Sequence, residues 1–161
     1  MFYIFLDIDG VLNTESDWRR PFTLNKKCVG AFLGYIQELR KNKKDEVSII
    51  LTSSWKTGFN KNGSHAAHIT DLLRAFSEIN LRISDKTEDY EGMDRGVSVE
   101  MYLKKHGIAA DKYIVIDDDK ALFPYSPDLN LYLTNAAVGF TEKDKPGIKK
   151  GGIVSWLERF F

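Results

Sequence analysis

The chain has 161 residues, 43% of them hydrophobic, which is about one domain in length with enough apolar side chain for a buried core. Lys plus Arg and Asp plus Glu number 23 each, so no net field draws the whole chain to nucleic acid or to an anionic membrane, and only local patches can do so. The single cysteine, Cys28, excludes an intramolecular disulfide and fits a reducing compartment, with helix packing as its expected role.

In chain order, Phe2–Leu6 is a short apolar run that predicts a buried strand. It is too short for a signal core or a membrane span, and a cytoplasmic protein is expected. Val29, Phe32, Leu33, Ile36 and Leu39 then recur at helical spacing. Val47–Leu51 predicts a second strand, and Ile69, Leu72, Leu73 and Phe76 a second helix. Residues 81–83 predict a further short strand, Val99, Tyr102 and Leu103 a third helix, and residues 113–116 and 129–133 two more strands. Ile153, Trp156, Leu157 and Phe160 predict a terminal helix. Strands alternating with helices predict an α/β fold: a doubly wound, mostly parallel sheet covered on both faces, as one domain over residues 1–161. Neither repeats nor a linker interrupts it.

Such sheets bind ligands at the carboxyl ends of their strands, and those positions are polar here. Asp7 and Asp9 follow the first run, Thr52, Ser53 and Ser54 the second, and Asp117, Asp118 and Asp119 the run at 113–116. Gly10 permits a sharp turn after the first pair. Carboxylates crowded at adjacent strand ends repel unless a hard cation compensates, and magnesium, which prefers oxygen ligands and a substrate phosphate, is the natural one. His65, His68 and His106 have no metal-ligand spacing with each other or with Cys28, which argues against zinc. His65 and His68 read as one helix face.

The string Asp7-Ile8-Asp9-Gly10-Val11-Leu12-Asn13, then Thr52, a basic residue before the third helix, and Asp117-Asp118, resembles the four ordered motifs of the haloacid dehalogenase (HAD) superfamily. More narrowly, Leu51-Thr52-Ser53-Ser54-Trp55, Ile116-Asp117-Asp118-Asp119 and residues 134–141 with Val138-Gly139-Phe140 resemble the small phosphatase domains associated with RNA repair proteins. The resemblance implies a Rossmann-like fold with little or no cap, and Mg²⁺-dependent hydrolysis of a phosphomonoester through an aspartyl phosphate. Asp7 would be the nucleophile and Asp9 the general acid and base. Thr52 would donate to the phosphoryl oxygens, with Ser53 as the alternative. Arg95 would supply the cation, with Lys86 as the alternative; the family usually has lysine at this point, and this sequence departs from that. The metal shell would comprise the Asp7 side chain, the Asp9 backbone carbonyl and Asp117, with Asp118 acting through water or orienting its neighbours. Asp119 reads as a cap for residues 120–122.

Neither usual cap position has room for a large insertion. Residues 15–24 allow a short flap, and residues 56–65 a loop leading into a helix. An open site suits a large phosphorylated substrate, with a nucleic-acid end favoured, or a dimer partner acting as cover; the oligomeric state is left open. Gly10 and Ser53 are expected beside the phosphate, while Trp18, Arg19, Arg20, Trp55 and Lys56 would stack a base or bind flanking phosphates. The alternatives are a small-metabolite phosphatase and a binding or regulatory module that keeps the fold. A response-regulator receiver would need Asp and Lys where Ile83-Ser84 and Thr134-Asn135 stand.

Overall fold

The computed structural model describes residues 1–148; the expected terminal helix lies outside them. Strands β1 (Phe2–Leu6), β2 (Val47–Leu51), β3 (Arg82–Lys86), β4 (Tyr113–Asp117) and β5 (Leu131–Leu133) alternate with helices α1 (Lys26–Lys43), α2 (Ala67–Ser77) and α3 (Arg95–His106). The strands form one parallel sheet in the order β3-β2-β1-β4-β5.

The central strands are almost wholly apolar because both sheet faces are covered, with Ser48 in β2 and the terminal Asp117 of β4 as the polar members. Alternate residues of β1 divide between two cores. Phe2, Ile4 and Leu6 pack with Phe32, Ile36, Ile69 and Phe76 from α1 and α2. Phe5 packs the opposite way with Val99, Tyr113 and Val115, with Tyr102 against this cluster. Helices α1 and α2 thus cover one face and α3 the other. Burying each large apolar side chain contributes roughly 1.5–3 kcal/mol. Asn25 starts α1 by accepting from the Lys27 and Cys28 amides, and Asp94 starts α3 by accepting from that of Val97. Gly107 ends α3 in the left-handed conformation.

Three expectations shift. The third strand begins at Arg82 and runs through Ser84 to Lys86. Leu81 is taken by the turn that leaves α2, donating its amide to the Phe76 carbonyl. Polar residues are tolerated in β3 because it lies at the sheet edge, where a register shift occurs opposite Ile49 and Ile50. The last strand is only Leu131–Leu133: Asn130 instead ties the loops, its side-chain amide donating to the Ala110 and Tyr113 carbonyls. His65 precedes α2 and shares no helix face with His68; it stacks on Phe59, while His68 faces the Trp55 carbonyl. Among the described residues no helix is long and apolar enough to cross a membrane.

Chain order reverses at β1, which leads outward through β2 to β3 before the chain returns to β4 on its other side. The crevice at the carboxyl ends of β1 and β4 is therefore the topological switch point.

Candidate active site

The Asp7 amide donates to the Ile116 carbonyl at 3.0 Å, which continues the β1–β4 pairing and sets Asp7 beside Asp117 at the end of β4. Gly10 then turns the chain at φ 83°. A side chain there would bring a Cβ within 2.5 Å of the Asp118 carboxylate carbon, so glycine answers both the turn and the close approach. The Thr134 hydroxyl, just past β5, donates to the Gly10 carbonyl at 2.8 Å and pins the turn.

Asp117 is fully buried. One of its oxygens accepts from the amides of Asp118 and Asp119 at 2.8 and 3.0 Å, and the other from Arg95 at 2.8 Å. Arg95 is the first residue of α3, and its Nη1 also lies 3.2 Å from Asp7 Oδ1. Burial works against the Arg95 charge, but Asp7 and Asp117 more than offset it and hold the guanidinium firmly protonated. Burial, and then the Asp117 charge, push the Asp7 carboxyl well above the ordinary range, against the pull of Arg95. Asp118 is raised as well, first by burial. Oxygens of Asp7, Asp117 and Asp118 all lie within 4.8 Å of one another, an all-oxygen group able to hold a metal ion. The Asp9 side chain stands apart from that group. Asp119 caps the short turn Lys120–Leu122, accepting from the Ala121 amide.

Parallel register pairs Leu6 with Leu51, so Thr52 leaves β2 alongside Asp7. Its hydroxyl is buried and has no hydrogen-bond partner among the described residues. Ser53 differs: its oxygen accepts from the Trp55 amide at 3.1 Å and caps the 3-10 turn Ser54–Gly58. Thr52 thus has neither donor nor acceptor capacity engaged, whereas the Ser53 oxygen is engaged as an acceptor and keeps its O–H to donate. Lys86 is likewise committed elsewhere, donating to the Lys56 and Phe59 carbonyls at 3.1 and 2.7 Å, which leaves Arg95 as the cation at the carboxylates.

Asp9 Oδ1 accepts from Asn13 Nδ2 at 2.9 Å and from Trp55 Nε1 at 3.2 Å. Trp55 is only 1% exposed, with Phe22 and His68 edge-on to its ring. The expected base-stacking role of Trp55 therefore gives way to an internal one, because no face of the indole is open to a ligand. Lys56, also expected to bind phosphate, is buried and donates to Thr87 and Asp89 at 3.1 and 2.7 Å. Arg19 and Arg20 are exposed in the flap. Trp18, on the same 3-10 turn, is 45% exposed but donates its indole N–H to Asn13 Oδ1 at 2.9 Å. Sequence reading missed the role of Asn13; its one signal was its place as the last residue of the Asp7-to-Asn13 string.

A parallel sheet wound both ways, with Asp7, Thr52 and Asp117 at neighbouring strand ends and Arg95 reaching in from the start of α3, defines a HAD-type hydrolase domain. A family model for the HAD domain in Swiss Army Knife RNA repair proteins matches residues 3–145, and the chain belongs to that family. No curated protein and no solved structure matches it.

Proposed function

We propose that the chain is a Mg²⁺-dependent phosphomonoester hydrolase that works through an aspartyl phosphate on Asp7. The observation that carries this reading is the meeting of Asp7 with Arg95 and Asp117 at the ends of β1 and β4, one strand from the unpartnered Thr52 hydroxyl. An Asp7 oxygen attacks phosphorus and the bond to the leaving oxygen breaks, while Asp9 gives that oxygen its proton. Asp9 then takes a proton from the water that attacks the aspartyl phosphate, which releases phosphate and restores Asp7. Thr52 and Arg95 donate to the equatorial oxygens, where charge stabilisation supplies most of the catalysis in phosphoryl transfer.

The carboxylates of Asp7, Asp117 and Asp118 fit a divalent cation, since their oxygens lie within 4.8 Å of one another, Arg95 reaches only Asp7 and Asp117, and burial, then the Asp117 charge, raises the Asp7 carboxyl. With the Asp9 backbone carbonyl they would hold Mg²⁺, which neutralises phosphate charge when bound.

A nucleic-acid terminal phosphate is the favoured substrate. The flap contributes one 3-10 turn, Glu15–Arg19, rather than a cap, and it presents exposed Arg19 and Arg20. The family's link to RNA repair proteins points the same way, and a cytoplasmic location is part of the same proposal. The test is a panel of phosphorylated oligonucleotide ends, nucleotides, sugar phosphates and phosphopeptides, assayed with Mg²⁺ and with EDTA. Turnover that needs Mg²⁺ and is fastest on oligonucleotide ends is expected. Undiminished turnover in EDTA refutes the metal requirement, and preference for a sugar phosphate makes this a small-metabolite phosphatase.

A further inference from the structure

We infer that Asn13 and Trp55 are positioning residues for Asp9: together they fix Oδ1 as a pure acceptor and reserve Oδ2 as the oxygen that carries the proton to the leaving group. This rests on the reading of Asp9 as general acid and base.

Two N–H donors from separate elements converge on Asp9 Oδ1, one from the turn after β1 and one from the turn after β2. Among the described residues Oδ2 accepts no hydrogen bond. An oxygen already receiving two N–H groups has no room for its own proton, so the acidic proton is confined to the other oxygen. The orientation of the Asn13 amide is itself determined. Its oxygen faces the Gly10 amide and the Trp18 indole N–H, both at 2.9 Å and both able only to donate, so its nitrogen must face Asp9. That nitrogen also donates to the Thr23 carbonyl at 2.8 Å. Asn13 thus ties Trp18 and Thr23 of the flap to the group that must meet the leaving oxygen. Trp55 is held from behind, with its carbonyl against His68 Nε2 at 3.0 Å. Loss of either donor frees Asp9 to rotate and to place its proton on the wrong oxygen.

The experiment compares Trp55→Phe, Asn13→Ala and Asp9→Asn with the parent enzyme on an activated aryl phosphate and an unactivated alkyl phosphate, in Mg²⁺, with a thermal melt of each variant. An activated leaving group hardly needs a proton, so a defect in proton delivery raises the ratio of activated to unactivated turnover. Trp55→Phe and Asn13→Ala should each raise that kcat ratio at least about tenfold, equivalent to ~1.4 kcal/mol, with little change in KM. Neither should raise it further in an Asp9→Asn background, because residues acting through one group are not additive. A ratio unchanged in both variants while Asp9→Asn raises it, or effects that add to Asp9→Asn, overturns the positioning role. A ratio unchanged in Asp9→Asn itself sinks the general-acid reading instead. Should Trp55→Phe fail to fold, Asn13→Ala decides alone.

Discussion

Arg95 Nη1 stands 3.2 Å from Asp7 Oδ1, joining the first turn of α3 to the end of β1. The same nitrogen lies 2.8 Å from Asp117, so a single cationic atom serves both carboxylates. A lysine ammonium can do the same, although arginine and lysine are not generally interchangeable. Arg95→Lys should therefore keep kcat within about tenfold of the parent, ~1.4 kcal/mol. Arg95→Met, which removes the charge, should cost roughly 10²–10³ in kcat. Steady-state kinetics on one phosphomonoester decides; equal losses for the two would show that more than the charge is being read.

Among the described residues the Thr52 hydroxyl has no partner to lose. Thr52→Val should leave the melting temperature unchanged or raise stability by ~1 kcal/mol, since a buried unsatisfied hydroxyl is removed. Turnover should nevertheless fall about 10²-fold, as when one donor to a developing charge is deleted. Ser53→Ala should behave oppositely, losing about 1 kcal/mol of stability with its cap and much less activity. Paired melts and kinetics of the two variants test this inversion.

The Asp7 carboxyl is raised by burial and then by Asp117, so the folded chain holds that proton more tightly than the unfolded chain does. Its contribution to stability is fully present below the unfolded carboxylate pKa and is lost as pH rises through the higher folded value. In EDTA, Asp7→Asn should therefore melt above the parent at neutral pH, with the gap closing in acid, and it should lack turnover. Mg²⁺ should raise the parent's melting temperature more at neutral than at acidic pH. A parent that outlasts Asp7→Asn in EDTA at neutral pH would contradict this.

Because the flap is short, binding energy for a large substrate has to come from contacts remote from the reacting phosphate. A short oligonucleotide with a terminal phosphate should show kcat/KM at least about tenfold above its mononucleotide, ~1.4 kcal/mol. Replacing Arg19 and Arg20 with Ala should erase much of that margin, which should also shrink with added salt. Equal kcat/KM for the two substrates at low salt would leave both arginines as ordinary surface.

The sequence disclosed β1 and β2 to the residue, because strands buried on both faces carry apolar runs, unbroken in β1 and interrupted only by Ser48 in β2. It missed most of β3, whose Ser84, Asp85 and Lys86 are permitted only by its edge position. Within the site, Asp7, Asp117 and Arg95 could be found because each sits where a strand ends or a helix begins. Trp55 could not. An aromatic in a polar loop reads as surface, and its burial depends on Phe22, which adopts φ 57° and stacks on His68. Its bond to Asp9 spans 46 residues, and no local pattern encodes a partnership at that range.

Asp7, Thr52 and Asp117 belong to the ends of three adjoining strands, whereas the exposed Trp18, Arg19 and Arg20 all belong to the connection between β1 and α1. The same connection also holds Trp18 and Thr23, which bind Asn13, and Phe22, which packs on Trp55, and Asn13 and Trp55 both donate to Asp9. A segment spliced between Asn13 and Leu24 can therefore change the exposed surface and leave the site's geometry intact only where it keeps those three contacts, so the room for an evolving or engineered lineage to diverge narrows to the outward-facing positions such as Arg19 and Arg20.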